Sequence, residues 1–401
     1  MYGLVNSSSS TFKFMSIYSL YVNYRKSDGK METRKIQTTK SGSFFITLPK
    51  SWVEKKGLMN SKDEEKSKEL TILEDEEGNL IVGPLKSRES SINEFNIPIE
   101  EYIEESSLER CINSSYVQGA DIISIFSEST IAVDKKRLVK DTVINLIGTE
   151  IAEEFSNRIT IRVLVDPIKF PLVILIKRIY NLVHSMHLDA IKSFKDTDQV
   201  LAEDVVNREK EVDKLYFLML RQLNLSLSNR LKFSDICPSE VKIDCVLGIV
   251  LARDLSKMAH YGAEIAKESL KLVGKKVSAD LKSHLKDMSS FVIKMQQNAI
   301  LAFFKNDFMR ANKVLNDIQK VRQFDYDTEH SVLEKSEDTS VIISIITISR
   351  NLRNIATSAV AVSEDLQAKY RPRDTHKKEA TPEIVPGAED LIASLYEKED
   401  K

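Results

Sequence analysis

Hydrophobic residues recur at helical spacing almost without interruption from Pro167 to about Tyr370. This pattern predicts long amphipathic helices, and it also repeats. The residues matched at a constant offset of 109 positions are Met186, Ala190, Phe194, Asp198 and Ala202 against Met295, Ala299, Phe303, Asp307 and Ala311. A second pairing sets Leu255–Ala259 beside Leu352–Ala356, at an offset of 97. We therefore predict two tandem bundles of about three helices each, residues 167–272 and 275–370, with chance similarity between amphipathic helices as the alternative.

Residues 87–166 have a different pattern, in which short β-branched runs alternate with amphipathic stretches. The predicted elements, in order, are a helix at Leu108–Tyr116, a strand at Asp121–Phe126, a helix at Lys135–Ile147 and strands at Glu150–Glu153 and Arg158–Val165. This order indicates a small α/β module. It has no Gly-rich phosphate loop and no cluster of His or Cys, so we interpret it as a spacer or an oligomerisation domain.

Residues 31–85 predict two β-hairpins with a short helix between them. The first hairpin pairs strands Thr33–Thr38 and Ser43–Leu48 around a Ser-Gly turn, and a Leu-Pro-Lys step leads into the helix. The second hairpin joins Leu70–Leu73 to Leu80–Val82. A unit this short cannot bury a sufficient core, so we expect it to fold as an intertwined dimer.

Composition sets the limits of the fold class. The 401 residues predict two or three domains, and 42% hydrophobic with 29% charged residues is ordinary for a soluble globular protein. Only 12 Gly and 9 Pro argue against an all-β architecture, so the chain is predicted to be multidomain and mainly α. Because the net charge is −2, any affinity for nucleic acid has to come from a local patch.

The cysteines and the apolar runs indicate the cellular compartment in which the protein is expected. Cys111, Cys237 and Cys245 are odd in number and lack CxxC spacing, which predicts a reducing compartment, no disulfide framework and no zinc site. No apolar run approaches the roughly 18 residues of a membrane span. We therefore expect a cytoplasmic protein without membrane insertion.

The two ends of the chain lack a clear period. Residues 1–30 are expected to be a disordered leader or an incorrectly assigned start. Residues 371–401 are polar and contain three prolines, so we expect a flexible tail. Within that tail, Glu389–Tyr396 is a candidate docking peptide.

The first hairpin carries the strongest candidate chemistry. Arg34, Lys35 and Lys40 cluster around the turn, and Lys50 begins the helix. Four cations on one face of a protomer would give a dimer up to about eight contacts with the phosphates of duplex DNA. The alternative is that they are ordinary solubilising charges beside a barrel that serves only for dimerisation.

Two resemblances connect these parts. Thr33–Gly83 resembles the swapped-hairpin AbrB/MazE/SpoVT family in its order of strand, turn, strand, Leu-Pro-Lys and helix. The tandem helical repeats resemble PhoU, the phosphate-uptake regulator with two three-helix bundles, and an archaeal PhoU group joins these parts in the same order. The resemblance implies an N-terminal β-barrel that dimerises and places Arg34, Lys35, Lys40 and Lys50 on DNA.

The chain departs from PhoU where that family binds metal. PhoU helices carry carboxylates four residues apart, which share a hard cation. The matching positions here hold Ser256 and His260 in the first repeat and Arg353 and Thr357 in the second. An arginine repels a cation and cannot deprotonate to bind it, so we expect no PhoU-type metal cluster.

Other polar pairs on the helices are weaker candidates. Glu209 and Asp213 keep the four-residue spacing, although a solvated helix face explains one such pair equally well. His184 and His187 lie three residues apart without an obvious third ligand, so we interpret them as packing or surface residues. No metal is assigned, and no cofactor is expected.

Catalysis is not indicated, because the sequence has no nucleophile elbow, phosphate loop or zinc spacing. Two functions from different classes remain. The first is a dimeric, DNA-binding transcriptional regulator of phosphate uptake. The second is an adaptor that docks its helical bundles on a phosphate transporter or signalling partner without binding DNA. An antitoxin-like DNA binder is a third hypothesis, against which the length of the helical region counts.

Overall fold

A computed structural model describes residues 33–56, 70–74, 80–84, 92–102, 104–237 and 242–369, together with Ala393. The chain divides into two compact units, Met1–Ser91 and Ile92–Lys401. The predictions for residues 1–30 lie outside the described residues. So do those for the tail and its docking peptide, apart from Ala393. No helix in the described ranges is long and apolar enough to cross a membrane.

The first unit contains two small antiparallel hairpins. Its elements are strands β1 (Gln37–Thr38) and β2 (Phe44–Phe45), helix α1 (Lys50–Lys55), and strands β3 (Leu70–Glu74) and β4 (Leu80–Pro84). β1 pairs only with β2, and β3 only with β4, within the described residues. The predicted swapped-hairpin barrel is therefore not formed within this single chain, and it stays a prediction.

The turn of the first hairpin explains why Gly42 is needed. Its φ of +89° lies in the left-handed region, where a side chain would be strained. The Thr39 hydroxyl accepts from the backbone N–H of Ser43 at 3.0 Å, and the Thr39 N–H donates to the Ser43 carbonyl at 2.8 Å. The strands are nevertheless much shorter than the sequence pattern predicts, with two residues each.

The second unit begins with an α/β module. Its elements are β5 (Glu94–Pro98), α2 (Glu105–Val117), β6 (Ile122–Phe126), α3 (Val133–Ile144), β7 (Thr149–Glu154) and β8 (Arg158–Val163). The sheet order is β5-β6-β8-β7, with β5 parallel to β6 and the other pairs antiparallel. The buried residues Ile123, Ile125, Ile159 and Ile161 come from its two central strands. The sequence pattern does not predict β5, because two alternating apolar residues ending at a proline give too weak a signal.

The rest of the described chain is helical, and the mainly α prediction is confirmed. The helices are α4 (Leu172–Asp196), α5 (Gln199–Leu227), α6 (Phe233–Ile236), α7 (Lys242–Lys271), α8 (Ala279–Lys305), α9 (Phe308–Lys335) and α10 (Thr339–Lys369). The long helices form two bundles, α4, α5 and α7 followed by α8, α9 and α10. One hydrophobic core runs through both bundles.

The internal repeat extends to the turns. Thr197 and Asn306, 109 residues apart, both end a helix in the left-handed conformation, with φ of 57° and 51°. The next residue in each case, Asp198 or Asp307, caps the following helix by accepting from the N–H of its third residue. A left-handed residue followed by an Asp cap therefore forms the same turn in both halves of the repeat.

The α/β module is packed against α5 and is not a detached spacer. Phe217 of α5 packs against the core of the module. The Arg221 side chain is 4% exposed and donates to the Tyr116 carbonyl at 2.7 Å, and Asn224 donates to the Val117 carbonyl at 3.0 Å. These donors add side-chain hydrogen bonds to carbonyls at the C-terminal end of α2, where the intrahelical N–H donors run out.

A disulfide contradicts the prediction from the cysteine pattern. Cys237, just after α6, and Cys245, in the first turn of α7, are bonded, with their Cα atoms 5.8 Å apart. That separation is typical of disulfides. The spacing of eight residues did not indicate it, because the pairing depends on how α6 and α7 lie relative to each other. Cys111 remains a free thiol.

The disulfide predicts the reactivity of the three cysteines. Unreduced, unfolded protein is expected to take up one equivalent of a thiol-alkylating reagent, at Cys111, because the other two sulfurs are bonded. After reduction it should take up three. Peptide mass spectrometry locates the labels. Labelling of Cys237 or Cys245 in the unreduced sample would contradict the pairing.

Candidate functional site

The four cations of the predicted DNA-binding face are all exposed in the first unit. Arg34 and Lys35 precede β1, Lys40 lies in the turn, and Lys50 is the first residue of α1. Lys50 approaches Glu54 at 3.7 Å, but both side chains are largely exposed, so this pair contributes little. All four side chains are therefore accessible from the solvent.

Six large hydrophobic residues of the same unit are exposed as well. The exposed set is Ile36, Phe44, Phe45, Ile46, Ile72 and Leu80, each between 45% and 75% exposed. None of residues 33–56, 70–72, 80, 82 and 83 is buried. Apolar side chains left in water do not stabilise a fold, so the described part of the unit has no core of its own.

The first helical bundle holds the weak metal candidates. Glu209 and His260 meet across α5 and α7, with His260 Nδ1 2.7 Å from Glu209 Oε1. One turn away, the Ser256 hydroxyl donates to Asp213 Oδ1 at 3.3 Å. Ser256 and His260, which occupy the positions where PhoU carries metal-binding carboxylates, thus contact Asp213 and Glu209 directly. The described residues contain no group of three or more His, Cys, Asp or Glu side chains that could hold a metal ion.

Among Glu209, Asp213, Ser256 and His260, Asp213 is the residue whose negative charge is unfavourable in the folded chain. Burial raises the pKa of its carboxyl group, and the neighbouring charge of Glu209 raises that pKa further. The hydrogen bond from Ser256 lowers it only in part. The ionised carboxylate is therefore less favourable in the folded chain than in the unfolded chain.

We expect Asp213→Asn to raise the thermal midpoint at pH 7. Because the folded-state pKa is raised, ionisation of Asp213 costs stability above that pKa, and the cost disappears as the carboxyl group becomes protonated at acidic pH. The amide keeps an acceptor for Ser256. Thermal scans at pH 7 and pH 3.5 should show the gain only at pH 7. Asp287→Asn, at an exposed position on α8, is the control, and a lower midpoint for Asp213→Asn at pH 7 would contradict the assignment.

The second bundle has an ion pair near the matching position. Arg353 of α10 donates through Nη1 to Asp325 Oδ2 of α9 at 2.6 Å, and the Ser349 hydroxyl donates to Asp325 Oδ1, also at 2.6 Å. The Asp325 side chain is 3% exposed. The sequence predicted that Arg353 repels a cation. It did not reveal Asp325, whose role follows only from the packing of α9 against α10.

His187 lies inside the interface between the two bundles. It is buried, its Nδ1 donates to Gln296 Oε1 at 2.9 Å, and its Nε2 lies 3.0 Å from the Ser289 hydroxyl. Burial lowers the pKa of the imidazole to about 4, although the Gln296 hydrogen bond opposes this. His187 is therefore a neutral packing residue, as predicted. Gln296 occupies the position equivalent to His187 in the second repeat, 109 residues away.

Comparison with known families finds a match for the helical region. The PhoU domain model matches residues 176–269 and again residues 285–366. The first match lies within α4 to α7 and the second within α8 to α10. The helical region is thus matched twice by the PhoU domain model. Each bundle is matched once, so the predicted resemblance of the helical repeats to PhoU is confirmed.

Solved PhoU structures resemble the chain at low sequence identity. PhoU from Pseudomonas aeruginosa is 18% identical, with 48% of this chain and 91% of that chain covered and a TM-score of 0.42. The phosphate transport system regulatory protein PhoU from Streptococcus pneumoniae is 17% identical, with 49% and 91% covered and a TM-score of 0.42. The chain has no significant match among curated proteins.

Proposed function

We propose that this chain is a dimeric, DNA-binding regulator of phosphate homeostasis, in which the PhoU domains control the N-terminal hairpin unit. The observation that carries the proposal is the pair of PhoU domains behind an exposed basic hairpin. PhoU domains supply the link to phosphate. The hairpin supplies the contact with DNA, through Arg34, Lys35, Lys40 and Lys50. No catalytic step is part of the proposal.

The exposed hydrophobic residues of the first unit support the dimer. Ile36, Phe44 and Ile46 are more than half exposed in the single chain, although an independent fold would bury them. An AbrB-like exchange of hairpins between two copies would cover them. The same exchange would bring two sets of four cations together, which suits the two half-sites of a DNA duplex.

A cytoplasmic location is also part of the proposal, since a DNA-binding regulator works there. The Cys237–Cys245 disulfide is the observation that this location has to accommodate, because cytoplasmic thiols are mostly kept reduced. Whether Cys237 and Cys245 are bonded in cells can be measured by trapping free thiols at lysis with an alkylating reagent.

The decisive experiment compares two charge reversals of equal size in the full chain. Lys35→Glu/Lys40→Glu alters the proposed DNA face. Lys55→Glu/Lys56→Glu alters the end of α1, with the same change in net charge. Fluorescence anisotropy with duplex DNA from upstream of phosphate-transport genes is measured between 50 and 200 mM salt.

Wild-type protein is expected to bind, with affinity falling by roughly 10³–10⁵ across this salt range if about eight phosphates are contacted. Lys35→Glu/Lys40→Glu should lose most of the affinity and about half of the salt dependence, and the control should lose much less. No binding at 50 mM salt would refute the regulator and favour the adaptor on a transporter or signalling partner. Equal losses in the two variants would refute the residue assignment.

A further inference from the structure

The connection between α5 and α7 carries a feature that the second bundle lacks. Residues 228–241 join α5 to α7 and include α6 and Cys237, whereas residues 336–338 join α9 to α10. At the offset of 97 that relates the third long helix of each bundle, Cys245 of α7 corresponds to Ile342 of α10. The second bundle therefore packs without a counterpart of the disulfide, so the repeated architecture itself does not require one.

The loop that the disulfide closes is short. Eight positions separate Cys237 from Cys245. The restriction that a disulfide places on the unfolded chain grows with loop length, so this bond stabilises the whole chain less than a long-range disulfide would. Its main effect is therefore expected to be local, on α6.

Helix α6 is a single turn with few attachments. Phe233 packs against the core, and α6 lies against the turn Pro167–Lys169 that precedes α4. Among the described residues, the hydrogen bonds of 232–237 stay within that segment, as does the 2.8 Å bond from the Cys237 N–H to the Phe233 carbonyl. Apart from apolar packing, the bond to Cys245 is what attaches α6 to α7 in this part of the chain.

A small apolar cavity adjoins the disulfide. Its volume is about 20 Å³, and its lining includes both cysteines, Val173 and Ile176 of α4, and Phe303 and Phe304 of α8. The disulfide thus lies where helices of the first bundle meet a helix of the second. A cavity that holds about one water molecule leaves the two sulfur atoms room to move apart once their bond is broken.

We propose that Cys237–Cys245 is a redox-controlled clamp, which fixes α6 at the junction of the two bundles when oxidised and releases α6 when reduced. The reductant is a dithiol. One of its thiolates attacks a sulfur of the bond, which gives a mixed disulfide and frees the other cysteine as a thiolate that takes up a proton. The second thiol of the reductant then displaces the remaining cysteine. The protein gains two electrons and two protons, and the reductant leaves as a disulfide.

Access to the sulfurs requires local opening. Cys237 is 5% exposed and Cys245 is 1% exposed. A single turn whose hydrogen bonds are internal can open without unfolding the long helices beside it. Reduction is therefore expected in the folded protein, and this inference does not rest on DNA binding.

Reduction of the folded full-length chain is the first test. The protein is incubated with dithiothreitol in native buffer, and free thiols are then alkylated and located by peptide mass spectrometry. Cys237 and Cys245 should both become labelled while the helical circular dichroism signal is retained. A bond that is reduced only after denaturant is added would overturn the proposal.

Hydrogen exchange of the oxidised and reduced proteins is the second test. The amides of residues 233–237 should exchange about tenfold faster or more after reduction, because the clamp is released. The last turn of α9, which precedes the matching connection of the second bundle, should exchange at the same rate in both states.

Two variants separate the clamp from other effects of the reductant. Cys111→Ser should respond to dithiothreitol as the wild type does. Cys237→Ser/Cys245→Ser should exchange fast at 233–237 with or without reductant. The clamp is refuted if complete reduction leaves the exchange of 233–237 unchanged, or if exchange accelerates equally along α7 to α10, as it would for a bond that stabilises the whole chain.

Discussion

Replacing Arg353 with methionine is expected to lower the free energy of unfolding by about 1.5–3 kcal/mol, less than for a fully buried pair because the Arg353 side chain is 41% exposed. The reason is the partner that it leaves behind. Asp325 is buried and receives one hydrogen bond from Arg353 and one from Ser349. Without the guanidinium group, a buried carboxylate keeps a single donor and no countercharge. Such a group costs far more than the surface pairs found elsewhere on these helices.

Urea unfolding followed by circular dichroism measures this effect. Arg350→Met on the same helix is the control, because its pair with Glu329 is 56% and 35% exposed, so a change below about 1 kcal/mol is expected. Asp325→Leu/Arg353→Met should recover most of the loss, since a hydrophobic pair can replace a buried ion pair. Equal effects of Arg350→Met and Arg353→Met would contradict the importance of burial.

Acidification from pH 7 to pH 5 is expected to remove about 2 kcal/mol of stability through His187. Burial lowers the folded-state pKa of this imidazole to about 4, against the ordinary histidine value of 6.5. The unfolded chain therefore binds a proton at pH 5 that the folded chain does not. Stability is fully present above the unfolded-state pKa and falls as the pH drops towards the folded-state value.

The comparison of wild type with His187→Gln isolates this contribution. Glutamine does not titrate and still offers a donor and an acceptor to Gln296 and Ser289. Unfolding free energies of the two proteins should run parallel between pH 7 and 9. Between pH 7 and 5 the wild type should lose about 2 kcal/mol more than the variant. Parallel curves down to pH 5 would show that His187 is not buried in neutral form.

The helical part of the fold could be predicted because its information is local. Amphipathic periodicity predicts each helix, and the spacing of Met186 and Met295 predicts that the bundle occurs twice. The matching turns at Thr197 and Asn306 depend on residues that are adjacent in sequence. In these helices the local conformational preference of the residues and the hydrophobic pattern predict the same structure. Such agreement is what allows this part of the fold to be predicted from the sequence.

The contacts that join elements could not be predicted, since they depend on packing between distant segments. Nothing near Arg353 in sequence points to Asp325, and nothing near Arg221 points to the carbonyl of Tyr116. The pairing of Cys237 with Cys245 depends on how α6 meets α7. In each case a charge or thiol was visible, but its partner was not.

In the hairpin unit, by contrast, the sequence predicts more structure than the single chain forms. Its pattern predicts strands of six residues, whereas β1 and β2 have two each in the single chain. An isolated two-stranded hairpin is marginal in water. The sequence pattern of a strand that needs a second copy therefore predicts more structure than one chain can form.

The contact between His187 and Gln296 has a consequence for synthesis on the ribosome. The two residues are separated by 109 positions, so at about 5–20 residues per second α4 is translated roughly 5–20 s before its partner on α8. During that interval the first helical bundle has to keep a polar ring and the surrounding apolar face of α4 uncovered. A chaperone that binds exposed hydrophobic segments would find its substrate in this nascent half, and not in the finished chain.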